Sequence, residues 1–187
     1  MSQNKYLVHV VSHTHWDREW HTTFQGFRRR LVRLVDKLLN ILESDPDYKY
    51  FVLDGHTALI EDYLEIRPYN RERMERQVKA ERLRIGPWYV LADEWLVSAE
   101  ALIRNLLLGH LVAGSFGRVM KAGYDCDPFG HISQLPQILA GFGINSVLFM
   151  RGMDDEKWQA AGEKTEFWWE APDGSRVLVV FLKNSYC

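Results

Sequence analysis

At 187 residues, 47% hydrophobic and with a formal net charge of -2, the chain can bury a core of its own and belongs with globular domains rather than disordered tracts. The near-balanced charge gives no electrostatic drive toward nucleic acid or an anionic membrane, and the one basic run, Arg28 to Arg30, reads as a solvated helix face. Two cysteines, Cys126 and Cys187, are too few for a disulfide framework, no signal-like segment precedes the first apolar run, and the longest aliphatic stretch, VLVVFL, falls far short of the roughly 20 residues that span a bilayer. These features predict a cytoplasmic protein with neither a nucleic-acid nor a membrane partner.

The first predicted strand is YLVHVV at 6–11. It runs straight into VSHTHWDREWH, in which His13, His15, Asp17, Glu19 and His21 alternate, so an extended chain would turn them all to one face. Phe24, Phe27, Leu31, Leu34, Val35, Leu38, Leu39 and Leu42 then recur at three and four places, the stripe of an amphipathic helix that Asp45 and Pro46 end. YKYFVLD at 48–54 is the second strand. Helices follow over TALIEDYLEI and over NRERMERQVKAERLRIG, with Asn70 as N-cap and Gly86 as the stop. WYVLAD at 88–93 is the third strand, Ser98 caps the helix AEALIRNLLLGHLVAG, VMKAGYD at 119–125 is the fourth strand, SQLPQILAGFG a short helix, and INSVLFM at 144–150 the fifth strand. EFWWEAPDGSRVLVVFL at 166–182 reads as a hairpin around PDGS.

Strands alternating with helices predict an α/β fold with a parallel sheet and right-handed crossovers, either doubly wound or part of a β/α barrel. The polar residues then share one edge: His15 and Asp17 follow the first strand, Asp54 and His56 the second, Asp93 and Glu94 the third, Asp125 and Asp127 the fourth, and Arg151 the fifth. The C-terminal edge of parallel strands is where such folds build sites. His15 with Asp17 and Asp127 make an imidazole and two carboxylates that need a cation or a proton to coexist, a donor set suited to Zn²⁺. His9, His21, His56 and His110 read instead as residues bonded to backbone or water. Asp127 precedes Pro128, which disfavours helical geometry and holds the carboxylate in an extended or turn setting, although Asp127 could also cap the helix after it. Of the aromatics beside the strand ends (Trp16, Trp20, Trp88, Tyr89, Phe129), Trp20 and Phe129 lie within three residues of a proposed ligand and suit a sugar's apolar face, while core packing suits the others.

HTHWDREW, GPWYVLADEWLVSAEALIRNLLLG and DPFGHISQLPQIL, in this order and spacing, resemble the amino-terminal part of the catalytic domain of family 38 glycoside hydrolases, the α-mannosidases. The HWDREW form is closest to the bacterial branch that includes mannosylglycerate hydrolase, whereas Pro128 resembles the Golgi and lysosomal enzymes. The resemblance implies a retaining, zinc-dependent α-mannosidase on a seven-stranded β/α barrel. It implies His15 and Asp17 as zinc ligands, Asp127 as both ligand and nucleophile, Trp20 and Phe129 as borders of the mannose, and Arg151 near nucleophile and substrate. His13 is not a ligand in the family and takes a supporting place.

The family's general acid and its fourth zinc ligand, a His, match no position in this chain; Asp93, Glu94, Asp154 and Asp155 do not fit the acid's motif. The expectation is therefore that residues 1–187 form one incomplete piece of the catalytic domain, an unclosed β/α barrel ending in a hairpin, with the remainder of the domain or a second copy as its partner. Two other readings stay open at this point: a metal-dependent polysaccharide deacetylase, and a non-catalytic carbohydrate-binding or assembly piece.

Overall fold

The computed structural model describes residues 6–186. Two short parallel sheets carry the fold. The first has the order β1 (His13–Thr14), β2 (Phe51–Leu53), β3 (Leu83–Arg84); the second runs β4 (Gly123–Tyr124), β5 (Ser146–Phe149), β7 (Arg176–Phe181), β6 (Glu166–Glu170), with β6 and β7 as the antiparallel hairpin. The helices are α1 (Phe24–Ser44), α2 (Ala58–Leu64), α3 (Arg71–Lys79), α4 (Ala99–Ser115), α5 (Leu135–Gly141) and α6 (Asp155–Ala160). The hydrogen bond from Met120 N–H to the Ile85 carbonyl (2.9 Å) and that from Trp88 Nε1 to the Tyr124 carbonyl (3.0 Å) join the two sheets. Among the described residues the sheets do not close on each other, and β1 and β6 remain edges. This is the mixed α/β arrangement of parallel strands and crossover helices, with a C-terminal hairpin, that an unclosed section of a β/α barrel has.

α1 forms where its stripe demands. Thr23 caps it by accepting the Gly26 N–H, and Leu31, Val35, Leu39 and Leu42 are essentially inaccessible. They pack on Leu53, Ile60, Tyr63 and Met74, so one core lies between α1 to α3 and the first sheet. Burial of such side chains stabilises the fold by about 1.5–3 kcal/mol each. Arg28 departs from the solvated reading of its basic run: it is buried, donating to the Asp62 carbonyl and pairing with Glu65. A second core under α5 gathers Leu135, Leu139, Val147, Val177 and Val179. Among the described residues no helix is long and apolar enough to cross a membrane.

Three expected elements differ. YLVHVV is not a strand: β2 is three residues long and offers partners only from Ser12 to Thr14, so residues 6–11 overhang it and are exposed. α3 ends at Lys79 rather than at Gly86, because residues 83–84 leave to pair with β2 as the third strand. Asn70 stands at the N-cap position without capping; its amide is turned to Asp36 and the Tyr63 hydroxyl. WYVLAD is not a strand either. Its backbone is claimed by helices: at the start of α2, Thr57 and Ala58 N–H donate to the Trp88 and Tyr89 carbonyls, and Asn105 within α4 takes the Tyr89 and Val90 N–H groups and donates back to the Val90 carbonyl.

That docking requires Gly109. A Cβ there would stand 2.2 Å from the Pro87 carbonyl oxygen, whereas one at Gly114 of the same helix would meet nothing within 4 Å. Gly109→Ala is expected to cost about 1–3 kcal/mol through overpacking, and Gly114→Ala to stabilise by about 0.5 kcal/mol through helix propensity. Urea unfolding of the two variants checks this, and equal midpoints would contradict it.

Candidate active site

The end of β1 delivers His15 and Asp17 to a cleft of about 500 Å³ that Val90, Leu91, Asp127 and Phe129 also line. The loop is anchored by its arginine. Arg18 Nε and Nη2 donate to the two carboxylate oxygens of Asp62 on α2, at 2.6 and 2.8 Å, a two-point contact that fixes the chain on either side of it. Asp54, at the end of β2, is fully buried and accepts the Trp16 N–H at 2.6 Å.

Two of the predicted ligands, Asp17 and Asp127, each approach the third, His15. Nε2 of His15 lies 3.6 Å from Oδ1 of Asp17 and 3.7 Å from Oδ2 of Asp127. These separations are too long for hydrogen bonds. They are close to the roughly 3.3–3.6 Å between two donors that share a tetrahedral zinc at about 2.0–2.2 Å. The other ring nitrogen, Nδ1, is 3.4 Å from Oδ1 of Asp54. One imidazole thus faces three carboxylates. Contact with Asp54 raises its pKa, burial opposes this, and the charges of Asp54, Asp17 and Asp127 add to the rise. Asp54 itself is held below the usual range: burial pushes it up, but His15 and His56 outweigh burial. The site asks for positive charge, and its donor set fits a divalent metal.

Asp127 does not cap the following helix, whose N-cap is Gln134. Its Oδ1 instead accepts from Nε of Arg151 at 3.0 Å, and the guanidinium lies 5.3 Å from the centre of the Phe129 ring. Phe129 lines the cleft and is exposed. Trp20 stands apart: its ring meets His21 edge-on at 5.0 Å and is not among the lining residues. His13 has Nδ1 3.3 Å from the Tyr124 hydroxyl. His110 bonds the Leu106 carbonyl; His56 lies 3.3 Å from the Trp16 carbonyl but also 3.1 Å from the Asp54 carboxylate, so its role is not with backbone alone. The thiol of Cys126, buried between the two aspartates, is pushed up to about 12, chiefly by burial, and cannot serve as a thiolate at neutral pH.

A second group of ionisable residues was not singled out by spacing. Glu94, Asp125 and His131 bring one donor atom each within 4.8 Å of one another, all nearly inaccessible. Its geometry differs from that at His15, because the ring nitrogens are already engaged: Nδ1 is 2.8 Å from Glu94 and Nε2 is 3.1 Å from the Arg151 carbonyl, while the other Glu94 oxygen accepts the Ile132 N–H. Both contacts are those of a doubly protonated ring. Burial pulls His131 down, but hydrogen bonds and charge from Asp125 and Glu94 push it up to about 9, and burial drives Asp125 upward. The His131 ring faces both acids, and its Nε2 contact with the Arg151 carbonyl ties that backbone beneath Asp127. A more apolar hollow of about 530 Å³, walled by Trp95, Phe149, Phe167 and Trp169, opens beside His131 and contains none of the three predicted ligands.

Because His131 titrates higher folded than its ordinary value of about 6.5, its contribution to stability is complete below that pH and is lost as pH rises through about 9. In chelator-treated protein, His131→Gln is expected to flatten the fall in stability between these values. Denaturant unfolding at the two ends of the window measures it, and equal slopes in wild type and variant would contradict the assignment.

Comparison with known proteins places this geometry. Residues 5–187 match the model of the glycosyl hydrolases family 38 N-terminal domain. The chain is 42% identical over 190 aligned positions to a protein of Halalkalibacterium halodurans named "Putative mannosylglycerate hydrolase", covering 97% of this chain and 21% of that one, and 29% identical to human alpha-mannosidase 2C1, covering 96% and 17%. The crystal structure of an alpha-mannosidase from Enterococcus faecalis superposes with a TM-score of 0.89 at 38% identity, over 95% of this chain and 20% of that one. A 4-alpha-glucanotransferase from Thermococcus litoralis shares the fold alone, at 15% identity and a TM-score of 0.71. The chain thus spans about a fifth of the length of these two bacterial relatives. It belongs to glycosyl hydrolase family 38, matching that family's N-terminal domain.

Proposed function

We propose that this chain carries the metal and nucleophile half of a retaining α-mannosidase site, with His15, Asp17 and Asp127 holding one Zn²⁺ and Asp127 serving as nucleophile. The observation that carries the reading is the arrangement around Asp127: one oxygen faces Nε2 of His15 at 3.7 Å, and the other is held by Arg151 at 3.0 Å. Relatives named as α-mannosidases or as a mannosylglycerate hydrolase supply the substrate class, an α-mannoside. Membership in a glycosyl hydrolase family speaks against the deacetylase, and a carboxylate held in place by an arginine speaks against a purely non-catalytic piece.

In the proposed mechanism a carboxylate oxygen of Asp127 bonds to the anomeric carbon as the bond from that carbon to the aglycone oxygen breaks. The departing oxygen takes a proton from a second carboxylic acid, which later accepts one from the water that releases mannose. Arg151 fixes the angle of Asp127, and Phe129 offers a flat apolar wall to the sugar ring. A divalent cation held by His15, Asp17 and Asp127 would supply positive charge opposite the carboxylates and a Lewis acid for sugar hydroxyls. Neither the second acid nor a fourth protein ligand is assigned in this chain. The unclosed sheets and the length of the relatives support the remainder of a catalytic domain, or a second copy, as the partner that completes the site. We place all 187 residues in one domain, with a cytoplasmic location.

A fluorinated α-mannosyl fluoride tests the nucleophile, because its leaving fluoride departs without protonation. Zinc-loaded protein is expected to gain one fluoromannosyl unit on the peptide bearing Asp127, and Asp127→Asn none. Peptide mass spectrometry reads this; labelling at another residue, or none in the loaded protein, would contradict the proposal.

A further inference from the structure

The nitrogen of His15 that faces away from the cleft has a partner of its own. Asp54 closes β2 in a left-handed conformation, φ 45°, with no exposed surface. Its Oδ2 is fully used: it accepts the Trp16 N–H at 2.6 Å and lies 3.1 Å from Nε2 of the buried His56. Its Oδ1 is buried and makes no hydrogen bond, and the same is true of His15 Nδ1, 3.4 Å away. Two buried polar atoms without hydrogen bonds, aimed at each other, define where a proton is needed.

An ionised carboxylate can only accept. A neutral His15 is therefore most stable with its proton on Nδ1, facing Asp54, which leaves the Nε2 lone pair directed at Asp17 and Asp127. We infer that Asp54 is the positioning residue of this site: it selects the Nδ1–H tautomer of His15 and so readies Nε2 to take a divalent cation. Metal-ligating histidines commonly have such a carboxylate behind them, and here it comes from the neighbouring strand, 39 positions along the chain from its histidine. The consequence for metal binding rests on the proposed zinc site; the tautomer does not.

Asp54→Asn keeps the shape, and asparagine tolerates a left-handed φ better than most residues. Its amide oxygen replaces Oδ2 toward the Trp16 N–H and His56, so its NH₂ faces His15. Nδ1 must then accept, and the proton moves to Nε2, where it blocks a metal.

The test uses the whole chain, ring-labelled with ¹⁵N at histidine, freed of metal and held at a pH where His15 is neutral. Long-range ¹H–¹⁵N spectra are expected to show His15 protonated on Nδ1 in wild type and on Nε2 in Asp54→Asn. Calorimetric titration with Zn²⁺ is expected to show affinity falling about 10–100-fold in the variant, with its circular dichroism unchanged. A wild-type His15 protonated on Nε2, or a variant that binds Zn²⁺ within about twofold of wild type, overturns the inference. Should the variant fail to fold, the wild-type tautomer decides alone. A tautomer that follows Asp54 in protein that takes up no Zn²⁺ supports the positioning role and removes the zinc reading.

Discussion

One imidazole among three carboxylates is the constraint on which the rest depends. His15 stands between Asp54 on one side and Asp17 and Asp127 on the other, all within 3.7 Å. Like charges gathered so closely, in a partly dehydrated cleft, repel unless a cation stands between them. A fold holds such a group together only if its surroundings leave the acids nowhere else to turn. The Arg18–Asp62 contact pins the loop that bears Asp17, the buried Asp54 backs the ring, and Arg151 holds the far oxygen of Asp127.

The second acidic cluster shows the alternative solution to the same problem. Glu94 and Asp125 are as crowded as the acids at His15, yet there the imidazole between them is pushed up to about 9 by both carboxylates, against burial. The two clusters meet at residues 125–131 and at Arg151, whose carbonyl accepts from His131 while its guanidinium donates to Asp127. A satisfied, closed cluster can thus carry the backbone of an open one. Rigid support of this kind is what a nucleophile needs if it is to be held at one angle to a sugar carbon.

Much of this was legible in the chain itself, wherever the signal is local. The stripe of α1, the Ser98 cap and the hairpin around PDGS depend on neighbours a few residues away, and all three form. The rule that polar residues after parallel strands share an edge brings His15, Asp17, Asp127 and Arg151 together. What was not legible depends on distant partners. YLVHVV has strand composition but overhangs a β2 of three residues, and WYVLAD loses its ladder to Asn105 and the start of α2. α6 was missed because it buries no residue and so leaves no apolar period, only an Asp154 cap. The roles of Asp54 and His131 depend on contacts with His15 and Glu94, 39 and 37 positions away, which no spacing within a motif records.

The central claim is that one divalent cation is shared by His15, Asp17 and Asp127. Anomalous diffraction at the zinc edge, on crystals of the zinc-loaded chain, tests it most directly. The account predicts a peak between Nε2 of His15 and the carboxylates of Asp17 and Asp127; a peak within the Glu94, Asp125 and His131 cluster, or none at His15, would contradict it.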